Sequence, residues 1–466
     1  MRRLAIVSWL AATWLLLACV PALAHANLVG ATPPQGGEVS KPPEQVELRF
    51  SEPVDAEFDP VVVRDAEGAR VDAHDARVDP EDARIVLADL EKLSEGSYTV
   101  EWRVTSIDGH VVEGRYGFAV AFAGEDRQPE DVGGGAPSAE VAGAQSRHHA
   151  GHDGGGASGV AAPHRRDPVP ERAAGRAASI EHGLALAETA FLAGLAPFAV
   201  LVWLPASRQS CAGRAAIRSF GVLAWGLLLA LAVAGVGELS SYAVLASGET
   251  LSTGLFWQTL FDSRVGVVWL ARLGLSMLTA ALIAAAARSG VTWPWWAAAG
   301  TGGMLLMSLT GLSHAAATGR YLPLVADWAH AVAAAVWMGG LLGFAVALFS
   351  RPLRRLSPEQ GAKLRERSVR RFSIVATSAV LVLACTGLYA AVLHVPSPQA
   401  LVASPYGRAL VAKLALLTLL LAVGAFNLLL RGRGPFGRLL VVELLLALGL
   451  FVATGFLTIL PPASGA

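Results

Sequence analysis

The chain has 466 residues, 53% of them hydrophobic and 16% charged, with a mean hydropathy of +0.49. That is too apolar for an ordinary soluble protein and requires membrane spans. Lys plus Arg and Asp plus Glu both number 37, so no overall basicity points to nucleic acid. Acids dominate the first third, and arginines dominate the loops of the remainder. The three cysteines, Cys19, Cys211 and Cys385, form no CxxC and no disulfide framework. Any metal must therefore be held by histidine and carboxylate.

Residues 1–24 read as a signal peptide. Arg2 and Arg3 form the basic start, Leu4 to Val20 the apolar core, and Ala22-Leu23-Ala24 an A-x-A cleavage site. Cleavage there makes His25 the new N-terminus. Its α-amine and imidazole Nδ1 then chelate one metal together, and Cu(II) favours such nitrogen donors in tetragonal geometry. Leu16-Leu17-Ala18-Cys19 offers an alternative, lipoprotein-type cleavage before Cys19 that would leave His25 inside the chain.

Residues 25–122 alternate apolar and polar positions in short runs: Gln45–Phe50, Pro60–Arg64, Arg84–Leu87, Tyr98–Val104 and Arg115–Val120. Turn clusters at 65–68 and 94–96 separate them. This predicts a small all-β sandwich or barrel. Residues 123–180, rich in Gly, Ala, Pro and His, cannot bury a core and are expected to be a disordered linker. Its His148-His149-Ala150-Gly151-His152 tract is read as a solvated spacer in preference to a weak metal collector.

Residues 181–462 form the expected membrane domain. Eight stretches are long and apolar enough to cross a bilayer: 184–205, 219–246, 265–287, 294–313, 329–349, 372–394, 408–430 and 439–460. The fold class is thus mixed: an all-β domain followed by an all-α polytopic membrane domain of about eight helices. Arginines crowd the loops after the first, third, fifth and seventh stretches, which places those loops in the cytoplasm and the β-domain outside.

Asp108 and His110 stand two apart in an extended segment, so their side chains share a face. Alone that pattern is weak; beside an N-terminal histidine it is half of a metal site. With His25-Ala26-Asn27-Leu28, Leu48-Arg49-Phe50-Ser51-Glu52-Pro53 and Gly96–Val104 leading to Ser106–His110, the segment resembles the CopC copper-resistance proteins. The resemblance implies a Greek-key β-barrel binding Cu(II) through His25, Asp108 and His110, with Glu52 as a nearby carboxylate. The methionine-rich Cu(I) loop of some members is missing, so the expected site is for Cu(II) alone.

The membrane part resembles CopD through Ser313-His314-Ala315, Asp327–His330, Val336-Trp337-Met338-Gly339-Gly340, Arg371-Phe372-Ser373, Tyr406–Lys413, Asn427, Glu443 and Pro461-Pro462. CopD proteins are associated with copper uptake, and both modules fused in one chain are an arrangement of this family. Read without the family, His182, His314, His330 and His394 all fall at the outer membrane face, and Asp327 shares a helical face with His330. Together they are the transport candidates, with His314 and His330 as the copper-receiving pair. Met304, Met307 and Met338 lie at similar depth, where thioethers would suit Cu(I); ordinary packing by a flexible side chain is the preferred explanation.

The expected function is extracytoplasmic Cu(II) binding coupled to copper transport across the inner membrane, without catalysis. The expected partners are copper, the bilayer and other periplasmic copper carriers. Membrane-anchored sequestration, a membrane cytochrome and a copper oxygenase are the alternatives.

Overall fold

The computed structural model describes residues 26–106, 109, 111–122, 168–310, 321–394, 397, 399–430 and 435–459. The signal segment, His25, Asp108, His110, His314 and the linker to 167 lie outside them, as does the His394 side chain.

The first domain is a two-sheet β-structure. One sheet runs β1 (Leu28–Thr32), β3 (Gln45–Phe50), β7 (Ile85–Asp89), β6 (Arg77–Val78). The other runs β2 (Glu38–Val39), β9 (Val111–Val120), β8 (Gly96–Ser106), β4 (Val54–Asp55), with β5 (Val61–Arg64) also on β8. The alternation behind the strand assignments is literal in β3, where Val46, Leu48 and Phe50 are buried and Arg49 is exposed. These side chains meet Val100, Val104 and Phe118 of the facing sheet in one core. The turn at 94–96 is tied by Tyr98, whose hydroxyl donates to the Ser94 carbonyl (2.9 Å) and accepts from the Ser94 amide (3.1 Å).

The rest is helical. The long helices are α1 (Pro168–Phe198), α2 (Arg218–Ser247), α3 (Arg264–Ser289), α4 (Trp293–Thr310), α5 (Tyr321–Phe349), α6 (Pro358–His394), α7 (Pro405–Leu429) and α8 (Phe436–Ile459). Among the described residues, seven helical segments are long and apolar enough to cross a membrane. The eighth expected span is α4. It is helical throughout its described residues, and its three tryptophans and three glycines dilute its apolarity. It still buries Trp295, Ala298 and Leu305 in the bundle core.

Several boundaries differ from expectation, among them the start of α6, at Pro358 and not at 372. Helix α1 begins at Pro168, well before residue 180, because Pro at a helix start and the Ala-rich run that follows favour helix. A short helix, Thr253–Asp262, fills the loop before α3, with Trp257 and Phe261 stacked on its exposed side.

Helices α1 and α5 cross at Gly194 and Gly339. A Cβ on Gly339 would sit 2.6 Å from the Gly194 Cα, so the backbones meet where a larger residue could not fit. Below the crossing, Phe198 gathers Trp203, Phe220, Phe344 and Phe372 at ring separations of 5.8–6.3 Å.

Candidate metal centre

The flanks of the expected copper ligands are brought to one end of the β-domain by the segment Ser51–Val54. At its start, the Asn27 amide donates to Ser51 Oγ (3.0 Å) and the Ser51 amide to the Asn27 carbonyl (2.9 Å). At its end, Val54 pairs with Ser106 of β8. Asn27 is two residues after His25, and Ser106 is two before Asp108. Ser51 and Val54 are three residues apart, which limits their separation to about 10 Å, so the described residues that flank His25 and residues 107–110 start from neighbouring points. Glu52 lies between those points and is buried, at 5% exposure. The β8–β9 hairpin closes there: Thr105 faces Val111, and the Gly109 amide donates to the Ser106 carbonyl (2.9 Å).

This same end docks on the helices. The Tyr242 hydroxyl of α2 donates to Glu57 Oε2 (3.0 Å). A carboxylate cannot return that hydrogen, so Thr105 Oγ1, 3.0 Å from the same hydroxyl, is the donor to Tyr242. Glu57 Oε1 accepts from the Arg264 amide (3.0 Å), which places a negative charge on the N-terminus of α3. The Arg264 guanidinium donates to Asp55 Oδ2 (3.2 Å). Burial pushes the Glu57 carboxyl above its ordinary range, although the Arg264 amide and the Tyr242 hydroxyl oppose this. Helix α2 ends at Gly248, whose φ of 72° makes the left-handed cap and whose missing side chain leaves room for the Arg103 guanidinium of β8.

Beneath this contact lies a polar cluster. His182 Nδ1 of α1 is 2.6 Å from Glu238 Oε1 of α2. With Arg272 of α3 they line a cavity of about 20 Å³, room for one water-sized occupant. Oε2 of both Glu181 and Glu188 is buried with no hydrogen-bond partner among the described residues. The Glu181 carboxylate lies against Gly237, next to Glu238, and Glu188 and Glu238 repel each other electrostatically.

His330 is elsewhere. It sits nine residues into α5, because that helix begins at Tyr321, ahead of the expected 329. Its Nδ1 donates to Thr386 Oγ1 (2.8 Å), whose own hydrogen goes to the Val382 carbonyl (2.7 Å). Lys413 interacts electrostatically with both His330 and Asp327. Asp327 and His330 thus share a neighbourhood as expected, but a lysine shares it with them.

The three methionines do not converge. Met304 and Met307 of α4 are 60% and 41% exposed on the bundle exterior, while Met338 of α5 is buried in the core. An i, i+3 pair shares a face, and on α4 that face is exposed. Deeper polar packing pairs Asn427 Nδ2 with Glu443 Oε1 (2.5 Å).

Among the described residues, one group of three has metal-ligand geometry, Asp59 with Asp72 and His74. Arg70 already occupies it, donating from Nη2 to Asp59 Oδ1 and to Asp72 Oδ2, both at 2.6 Å. Burial pushes Asp72 upward, but Arg70 and the Val63 amide outweigh it and hold the carboxyl below the usual aspartate range. Its stabilisation is present above the ordinary aspartate range and is lost as pH falls through the lowered value. We read this as a lock on the docking loop at Glu57. Arg70→Met is expected to lower β-domain stability by about 3 kcal/mol, visible as a reduced urea midpoint.

Comparison with known proteins agrees with this architecture. The CopC domain family model matches residues 28–121, and the Copper resistance protein D family model matches residues 366–457. Copper transport protein CutJ of Bacillus subtilis (strain 168) is 27% identical over 448 residues, 94% of this chain and 74% of that protein. Protein YobA of Escherichia coli (strain K12) is 32% identical over 98 residues, 21% of this chain and 79% of that protein. A crystal structure of CopC from Methylosinus trichosporium OB3b aligns at 35% identity over 22% of this chain and 98% of its own, with a TM-score of 0.21. This multi-pass membrane protein belongs to the CopC and CopD copper-resistance family and carries both domains in one polypeptide.

Proposed function

We propose that the protein binds Cu(II) outside the inner membrane in its β-domain and passes copper across the membrane through its helices. His25, Asp108 and His110 are the proposed ligands, with Glu52 as the carboxylate beside them. The observation that carries the reading is the docking: the end of the β-domain flanking those ligands is the end that contacts α2 and α3. A domain that only sequestered copper would gain nothing from turning that end toward the bundle.

Two independent arguments support the orientation. Arginine counts assign the loop between α2 and α3 to the outer side, and the β-domain rests on that loop through Glu57 and Arg264. His182, His314, His330 and His394 are the proposed polar positions along the path, with Asp327 supporting His330. Met304 and Met307 face outward, which favours nitrogen and oxygen donors over thioethers. The test is copper accumulation in proteoliposomes whose β-domains face outward. His110→Ala is expected to lower uptake from submicromolar Cu(II) at least tenfold; uptake equal to wild type would refute the coupling.

A further inference from the structure

We propose that the Thr253–Asp262 helix is an interfacial anchor: it lays its Trp257–Phe261 face into the outer lipid leaflet and so sets the height at which the β-domain docks. The inference rests on the docked arrangement and on the outward orientation of the loop between α2 and α3. The helix lies outside both segments matched by the CopC and Copper resistance protein D models.

Place is the first argument. The helix begins at Thr253, shortly after α2 ends at Ser247, and stops at Asp262, just before α3 begins at Arg264. Both neighbours are long and apolar enough to cross a membrane. Its 10 residues make about 15 Å of helix, half the hydrocarbon thickness of about 30 Å. It cannot cross between its neighbours, so it lies at the boundary where they emerge.

The two faces of the helix are the second. Leu255, Thr259 and Leu260 are buried against the protein, whereas Trp257 and Phe261 are 51% and 60% exposed. The exposed pair stands four apart and shares a face, with the rings stacked at 5.8 Å and their planes 9° apart. Leu245 near the end of α2 and Val267 in the first turn of α3 are exposed as well. The apolar surface thus runs along the chain from one membrane-crossing helix to the next. Indole, apolar in body and polar at its N–H, is a side chain of membrane interfaces.

A lipid surface is the occupant that fits. The described residues of the β-domain reach this loop at Arg264, yet they leave Trp257 and Phe261 exposed. From Gly248 to Ser263 the charged side chains are Glu249 and Asp262, both acidic. Apolar burial, and not attraction to anionic headgroups, therefore holds the helix.

The anchor is joined stiffly to the docking contact. Ser263 is buried, and its Oγ accepts from the Gly266 amide (3.0 Å) to start α3. A Cβ on Gly266 would collide with the Thr259 and Leu260 carbonyls, so the last turn of the anchor packs directly on the first turn of α3. Between them, Arg264 holds Glu57 by its amide and Asp55 by its guanidinium. The depth of the stacked rings fixes the height of that contact.

The test places a nitroxide at Phe261→Cys in the full-length protein carrying Cys211→Ser and Cys385→Ser, reconstituted in phosphatidylcholine nanodiscs. Relaxation by oxygen, which concentrates in the bilayer, is expected to exceed relaxation by a water-soluble nickel chelate at least threefold. Adding phosphatidylglycerol should not change the ratio. A second measurement follows distances between spin labels on the β-domain and on α3. Trp257→Ser with Phe261→Ser should lower the docked population at least threefold, while Trp257→Leu with Phe261→Leu should keep it near wild type. Stronger relaxation by the nickel chelate would put the face in water, and relaxation by neither would put it against protein, such as a second copy; either result overturns the proposal. So does docking that survives the serine pair unchanged, or that is lost equally with the leucine pair, which would make the rings a packing requirement alone. Neither readout involves copper, so failure of the anchor and failure of copper transport are told apart.

Discussion

One alanine placed ahead of His25 is expected to weaken Cu(II) binding by the β-domain about a hundredfold. The extension converts the α-amine into an amide, which has no lone pair for a metal at neutral pH. Structural metal sites with four ligands are worth roughly 10–16 kcal/mol, or about 3 kcal/mol per ligand, and 1.4 kcal/mol is tenfold. The β-sandwich should be unaffected, because Ala26 is already buried and Asn27 is already fixed to Ser51. Competition with a chelator of known affinity measures the change, and unchanged circular dichroism excludes misfolding. Equal affinity for the native and extended forms would remove the amine from the ligand set. It would also favour cleavage before Cys19.

The second large effect concerns the docking contact. Glu57→Ala combined with Tyr242→Phe deletes the hydrogen bonds from Thr105, Tyr242 and the Arg264 amide. Bonds to a charged group contribute about 1.5–3 kcal/mol each, so the docked population should fall at least tenfold. Copper binding by each domain should persist while transfer between them slows in proportion. Distances between spin labels on the β-domain and on α3 should broaden in the double variant and stay narrow in wild type. Normal uptake by a protein shown to be undocked would mean that copper reaches the helices through solution.

Much of the fold is legible in the sequence because it depends on short periods. Val46, Leu48 and Phe50 alternate with Glu47 and Arg49, and that alone marks β3. Long apolar runs mark the long helices, and Ser252, Ser263 and Ser404 each cap a helix by accepting from the amide three residues on. Helix α4 shows the limit of composition: Trp295 and Gly302 make it less apolar than its neighbours, yet both are buried in the bundle.

The candidate sites were legible only in part, for a different reason. Asp108 and His110 stand out because their partners are close in sequence. Glu57 does not, since its partners Tyr242 and Arg264 are 185 and 207 residues away. The pairing of His182 with Glu238 spans 56 residues and two helices, so no spacing rule reveals it. Arg70 looks like an ordinary surface arginine until Asp59 and Asp72 are brought round it. For the methionines, equal depth allows a relay and packing is the preferred reading; depth does not specify which face of a helix a side chain takes, and Met304 and Met307 are exposed while Met338 is buried. His330 falls at a helix start when the apolar run is taken from 329, whereas α5 begins at Tyr321 and accommodates Pro323 in its first turn.

The most direct test of copper transfer through this chain is a single-turnover chase. Full-length protein in outward-facing proteoliposomes is loaded with one radioactive Cu(II) on the β-domain, and free metal is removed. Lumenal label and the β-domain Cu(II) spectrum are then followed together. Transfer through the chain predicts that label reaches the lumen as the spectrum decays, and that an excess of unlabelled copper added outside does not dilute it. Label that stays on the β-domain, or that enters only after exchanging with external copper, would contradict it.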